Sequence, residues 1–154
     1  MAGGEKMKNY TINSNTLALI PSGKKKTIVY EDNNCYVIEE KLSKIMDLNC
    51  KYYGSSIDGR IKGTYSLTGY SYKAPIILSE DKNIIFFPTC SPRLKDCSWI
   101  CLNNIDKIYN IKDQSYIKFL NEKCLEFNIS YNILQNQYLK SLSLENAFKN
   151  RKKN

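Results

Sequence analysis

Apolar residues fall in short runs over most of the chain, separated by clusters of Asn, Asp, Ser, Gly and Pro, the pattern of strands joined by turns. Residues 10–12, 16–20, 27–30 and 35–39 are predicted strands. Helical spacing takes over at Leu42, Ile45, Met46 and Tyr53, with Gly54 as a stop, and predicts a helix over 41–53. Beyond it, Ile57, Ile61, Thr64 and Tyr65 suit either a short second helix or the entry to a strand. Residues 75–78 and 83–87 flank Ser-Glu-Asp-Lys as a hairpin, and 98–102, 107–111, 116–120 and 124–129 continue the strands. The chain closes with a helix. Ser130 is a good N-cap, and Tyr131, Leu134, Tyr138 and Leu142 follow at helical steps, with Phe148 near the same face. The predicted class is α+β: a mainly antiparallel sheet with a central helix plus glycine-rich loop and a C-terminal helix.

At 154 residues the chain fits one domain with a core of its own. Residues 1–6 (MAGGEK) hold no apolar run and Met7 suits a natural start. They are read as an added scar or a flexible N-terminus, and 7–154 as the single domain. The longest apolar stretches, 18–21 and 84–88, fall far short of the roughly 20 residues a membrane helix needs. With no secretory signal in view, the expected setting is the cytoplasm, where the six cysteines stay reduced.

The net charge is +8, with 23 Lys and Arg against 15 Asp and Glu. Lysine outnumbers arginine 20 to 3, and Asn and Ile are abundant, which points to an AT-rich coding sequence and discounts part of the lysine excess. The distribution is more informative. Residues 1–30, 41–73 and 140–154 each sum to +4, 31–40 to −4, and 74–139 to zero. Basic blocks around a neutral middle are the footprint of a surface for nucleic acid or anionic lipid, although a merely solvated lysine-rich surface gives the same counts.

There is no histidine, which removes Ser-His-Asp and Cys-His catalysis, the zinc-protease signature and the Cys₂His₂ finger. Cys90, Cys97 and Cys101 are not spaced as paired zinc ligands. With Cys35, Cys50 and Cys124 they read as small buried hydrophobes, and no metal is expected. Trp99 lies in an apolar run and reads as core, as do Tyr131 and Tyr138 on the closing helix. Lys24–Lys26 suits a solvated turn or a phosphate contact, the turn being favoured. The cluster Lys149, Arg151, Lys152, Lys153 suits both the negative end of the last helix and a phosphate.

The stretch CKYYGSSIDGRIKGTY (50–65) stands apart, because a packed core needs none of its composition. Three glycines, the hydroxyls of Ser55 and Ser56, the cations Lys51, Arg60 and Lys62, and Tyr52, Tyr53 and Tyr65 share sixteen positions. Glycine permits close approach, and cations with hydroxyls and exposed N–H groups suit phosphate oxygens. The candidate DNA-binding residues are Lys51, Ser55, Ser56, Gly59, Arg60, Lys62 and, further on, Lys73. Gly59 would let a polyanion come close beside the Arg60 guanidinium. The lysines would sit on phosphates. Two other readings are a plain helix stop with a turn, and an anion loop like GxxxxGK[ST]. Against the latter, Arg60 replaces the lysine, Ile61 replaces the hydroxyl, and a helix rather than a strand precedes it.

With these residues in hand, the chain resembles the ComK family of competence transcription factors from low-GC Gram-positive bacteria. The likeness is densest over 50–65, continues through KAPIILSEDKNIIFFPT (73–89) and Cys97-Ser-Trp99-Ile100, and extends to ISYN (129–132) with Gln135-Asn136-Gln137. It covers most of residues 8–150. The resemblance implies a sequence-specific DNA-binding activator, not an enzyme, with no cofactor. Such a protein reads paired AT-rich boxes on double-stranded DNA through the minor groove. It would act on the nucleoid as a homodimer or higher oligomer, meet RNA polymerase, and switch on DNA-uptake genes. Longer family members extend past the position of Asn154, and functions lodged there lie outside the resemblance. The alternatives are a phosphate- or nucleotide-handling enzyme using 54–62, and a basic module that docks an acidic protein.

Overall fold

The central strands carry apolar side chains on both faces and need cover on both, and the architecture follows from that demand. The computed structural model describes residues 6–92 and 97–152. β1 (Lys6–Met7), β2 (Thr16–Pro21), β3 (Thr27–Glu31), β4 (Cys35–Ile38), β5 (Ile76–Ser79), β6 (Ile84–Pro88) and β7 (Trp99–Cys101) form one sheet in the order β1-β4-β3-β2-β7-β6-β5. Every neighbouring pair is antiparallel except β1 and β4. β6 is buried along its whole length. Ile84 and Phe86 pack on one side with Leu19 and Trp99, whereas Phe87 joins Ile100 on the other.

The first face lies under α1 (Leu42–Tyr52) and α2 (Ile57–Thr68). α1 buries Leu42, Ile45, Met46, Asn49 and Cys50. α2 gives far less: only Thr64 is fully buried, while Ile57 and Ile61 rest half-buried on the same core and Leu67 reaches the neighbouring cluster. The second face is covered by α3 (Tyr131–Lys152) and by a three-stranded antiparallel sheet, β8 (Ile105–Ile111), β9 (Gln114–Phe119) and β10 (Cys124–Phe127), in the order β10-β9-β8. Along β9, Ser115, Ile117 and Phe119 turn inward, and Gln114, Tyr116 and Lys118 outward.

The α+β class holds, as do the 75–87 hairpin, the first helix and Trp99 in the core, where it is 3% exposed. The stretch after Gly54 resolves as the helical alternative: the loop shrinks to a turn over 53–56 and α2 takes the rest. Three expectations fail. Residues 10–12 form no strand; their backbone groups bond side chains of α1 and its C-cap. On α3 the buried row is Leu134, Gln137, Ser141, Leu144 and Phe148. Two polar residues in that row hid it from an apolar count, and Leu142 is 37% exposed and Tyr131 only half-buried. Cys124 is exposed, unlike Cys50, Cys97 and Cys101, whose thiols burial pushes up to about 11, 12 and 12. All six cysteines are free. At the end of α3, Lys149 pairs with Glu145 at 3.6 Å and Arg151 with Glu80 at 3.5 Å; Lys153 lies outside the described residues, as do 1–5 of the N-terminal segment. Among the described residues no helix is long and apolar enough to cross a membrane.

Asn49 fastens the N-terminal segment to α1. Its side-chain Oδ1 accepts from the Ile12 N–H at 2.7 Å, and its Nδ2 donates to the carbonyls of Tyr10 at 2.9 Å and Ile45 at 2.8 Å. The Tyr53 hydroxyl donates to the Ile12 carbonyl at 2.6 Å. Asn49→Leu would strand the Ile12 N–H and the Tyr10 carbonyl in a buried site, so it should cost about 2–4 kcal/mol. Urea unfolding reads this directly, and a loss below about 0.5 kcal/mol would mean that 10–12 is held by something else.

Candidate nucleic-acid interface

The candidate site is built on the turn between α1 and α2. The end of α1 is closed by bonds from Gly54 N–H to the Lys51 carbonyl at 3.0 Å and from Ser55 N–H to the Cys50 carbonyl at 2.8 Å. That geometry places Gly54 at φ +91, a left-handed conformation that favours glycine. Ser56 then caps α2: its Oγ accepts from the Gly59 N–H at 2.9 Å, and Asp58 in the first turn suits the positive helix end. A Cβ on Gly59 would lie 2.8 Å from Ser55 Oγ and 3.1 Å from Ser56 Oγ, so this glycine makes room for the cap.

Arg60 does not project as a free finger. Its Nη2 donates to the Tyr53 carbonyl at 3.0 Å, tying the two helices across the turn, and its Nε is buried without a hydrogen-bond partner. The guanidinium also pulls the Cys50 thiol down, though burial outweighs it. Sequence reasoning could not see this, because helix start, helix end and arginine all fall within eight residues and their relative direction is a tertiary matter.

Lys51 and Lys62 do stand on the surface. Each is paired one helical turn back, Lys51 with Asp47 and Lys62 with Asp58, both at 3.0 Å, with the lysine side chains 61% and 78% exposed. Exposed i,i+4 pairs are worth only a few tenths of a kcal/mol, so a phosphate can displace the carboxylate at little cost. Tyr52 and Tyr65 are exposed on the same two helices. Gly63 is not among the candidate residues named above. It is exposed in the middle of α2, and nothing lies within 4 Å of where its Cβ would be. Lys73 lies apart from this group, beyond the far end of α2, at φ 51 with its Nζ 5.3 Å from the centre of the Tyr72 ring.

Two further surfaces bear on the choice. Exposed Lys24, Lys25, Lys26 and Lys41 share a cavity of about 660 Å³ with buried Leu42, Met46 and Trp99, which extends the basic region past the start of α1. The outer face of the small sheet carries a stacked Tyr109–Tyr116 pair, 5.6 Å between centroids. Its charge is balanced, however: over 105–127 four lysines meet four carboxylates, against +4 over 41–73. Of the amides that a phosphate loop would offer, those of Gly54, Ser55, Gly59 and Arg60 already bond within the turn. Among the described residues, no group of three or more Cys, Asp or Glu could hold a metal ion.

The ComK protein family model matches residues 7–153. A protein of Bacillus subtilis (strain 168) named competence transcription factor is 32% identical over 149 residues, covering 94% of this chain and 78% of its own length. No solved structure matches. The chain belongs to the ComK family.

Arg60→Ala should lower stability by about 1–2 kcal/mol, because it removes a charged donor from the carbonyl of Tyr53, the C-cap of α1. Arg60→Lys should recover only part, since the ammonium lacks the planar fork. A urea midpoint unchanged by either substitution would return Arg60 to the surface as a contact residue.

Proposed function

We propose that this ComK-family chain is a DNA-binding activator of competence genes that docks the α1–α2 face on AT-rich duplex and reads it through the minor groove. Membership of a family that includes a competence transcription factor supports the regulator, and the +4 balance of 41–73 supports the face. The observation that carries the placement is Gly63. An exposed glycine inside a helix costs up to about 1 kcal/mol relative to alanine, and no neighbour in the fold requires it. A partner that must come against the helix surface gives it a reason.

In this reading Lys51 and Lys62 exchange Asp47 and Asp58 for phosphates, while the hydroxyls of Ser55 and Ser56 lie close to the backbone. Gly59 keeps the capped turn compact, and Arg60 holds the turn in shape. AT-rich minor grooves are narrow and strongly negative, which suits a lysine-bearing ridge with small residues between its charges. The protein would act as a homodimer or higher oligomer on paired boxes, on the nucleoid and beside RNA polymerase.

A gel shift on AT-rich and GC-rich duplexes tests the reading. With about six phosphates neutralised per protomer, log K should fall with log[salt] at a slope near −5. Replacing A·T by inosine·cytosine, which leaves the minor groove without the guanine amino group but gives a G·C-like major groove, should preserve binding. Loss of binding on inosine·cytosine would shift readout to the major groove, and binding indifferent to salt would remove DNA as the partner.

Gly63→Ala separates fold from contact. It should raise stability by up to about 1 kcal/mol and at the same time weaken duplex binding several-fold. A variant that is stabilised and binds as before would move the interface off α2.

A further inference from the structure

Beyond the far end of α2 the chain builds a second cationic feature. Gly69 closes α2 with φ +82 and its N–H on the Tyr65 carbonyl at 2.8 Å. The segment that follows is fastened from two sides. The Thr64 hydroxyl donates to the Pro75 carbonyl at 2.6 Å, and the buried Gln137 amide donates to the carbonyls of Lys73 and Pro88, both at 2.8 Å. Tyr70, Tyr72 and Lys73 therefore stand in fixed positions beside α3, where Lys140 joins them.

The two lysines share a shallow groove of about 370 Å³, lined also by Asn136 and Ser143 and, among the described residues, by no carboxylate. Lys140 Nζ donates to the Tyr72 carbonyl at 3.1 Å and lies 5.6 Å from the centre of the Tyr70 ring, while Lys73 lies over Tyr72. Neither is in an ion pair with a described residue, unlike Lys51 and Lys62. Partial burial and the nearby Lys73 charge hold the Lys140 ammonium below its ordinary range. An anion set between them would offset both effects with its opposite charge.

We propose that Lys73 and Lys140 form a phosphate clamp at the C-terminal end of α2, the second grip of one protomer on the duplex backbone. The clamp rests on the DNA reading above. Two hydrogen-bond donors and two ammonium groups on fixed backbone suit a single phosphodiester. The twelve residues of α2 span about 18 Å at 1.5 Å per residue. With one base pair per about 3.4 Å of duplex, the two grips lie about five base pairs apart if α2 runs along it. Each protomer then spans at least about five base pairs between its grips, and the clamp sets its register at one end.

The test is ethylation interference and salt-dependent binding on an AT-rich duplex, using wild type, the double variant Lys73→Gln/Lys140→Gln and the charge-keeping Lys73→Arg/Lys140→Arg. The glutamine variant should lower the salt slope by about 0.9, since the clamp holds one phosphate and each phosphate contributes about that much. It should also lose interference at phosphates on one end of the footprint only, with an unchanged melting temperature, and the arginine variant should keep both. A glutamine variant that retains the wild-type slope and footprint overturns the clamp while leaving the DNA reading intact. Uniform loss across the footprint, or a lowered melting temperature with rescue by neither variant, makes the lysines structural and overturns it too. A wild type that binds no duplex overturns the DNA reading and the clamp together.

Discussion

A sheet whose central strands are apolar on both faces cannot stand uncovered, and every other feature of this protein answers to that. β6 has no exposed residue, and Phe86 and Phe87 point to opposite sides with no exposure at all. One side is closed mainly by α1, which spends five of its eleven residues on the core. The other takes α3 and the small sheet. Once those are in place little core remains for α2 to bury. It lies on the sheet through Thr64, Ile57 and Ile61 and leaves about half its circumference to solvent. A helix with so thin an inner contact is free to have its outer face shaped by a partner.

The turn in front of α2 shows how much structure is spent on holding that helix. Gly54 ends α1, Ser56 starts α2, Gly59 clears space for the cap and Arg60 ties the two helices together. Three of the residues that looked like ligands for a polyanion, Ser56, Gly59 and Arg60, thus have local structural work. That leaves them in the proposed interface, because a capped, tied turn presents its neighbours Lys51 and Lys62 at fixed positions. It does divide the labour: the glycine, serine and arginine of the turn shape the ridge, and the lysines supply the charge.

Most of the fold was legible in the sequence, since hairpin signals, strand alternation and helix stops are local. The 75–87 hairpin and the first helix follow from spacing alone. What failed depended on long-range bonds. Residues 10–12 have the composition of a strand, but the amide of Asn49, thirty-seven positions away from Ile12, takes the place of a ladder neighbour. α3 buries Gln137 because two distant carbonyls, of Lys73 and Pro88, need a donor, and no apolar count anticipates that. The site divides in the same way. Exposed Lys51 and Lys62 were readable as surface cations, whereas the inward turn of Arg60 and the meeting of Lys73 with Lys140 appear only once α1, α2 and α3 are placed. The value of Gly63 was hidden for the opposite reason: it shows by having no neighbour.

The central claim is that the outer face of α2, with the end of α1, meets DNA. Backbone amide shift mapping of the protein with and without an AT-rich duplex tests it most directly. The account predicts the largest changes over 51–66, with a second cluster at 70–73 and around Lys140, and little change on the outer face of the small sheet. Changes centred on Lys107, Tyr109, Tyr116 and Lys118, with α2 unmoved, would contradict it.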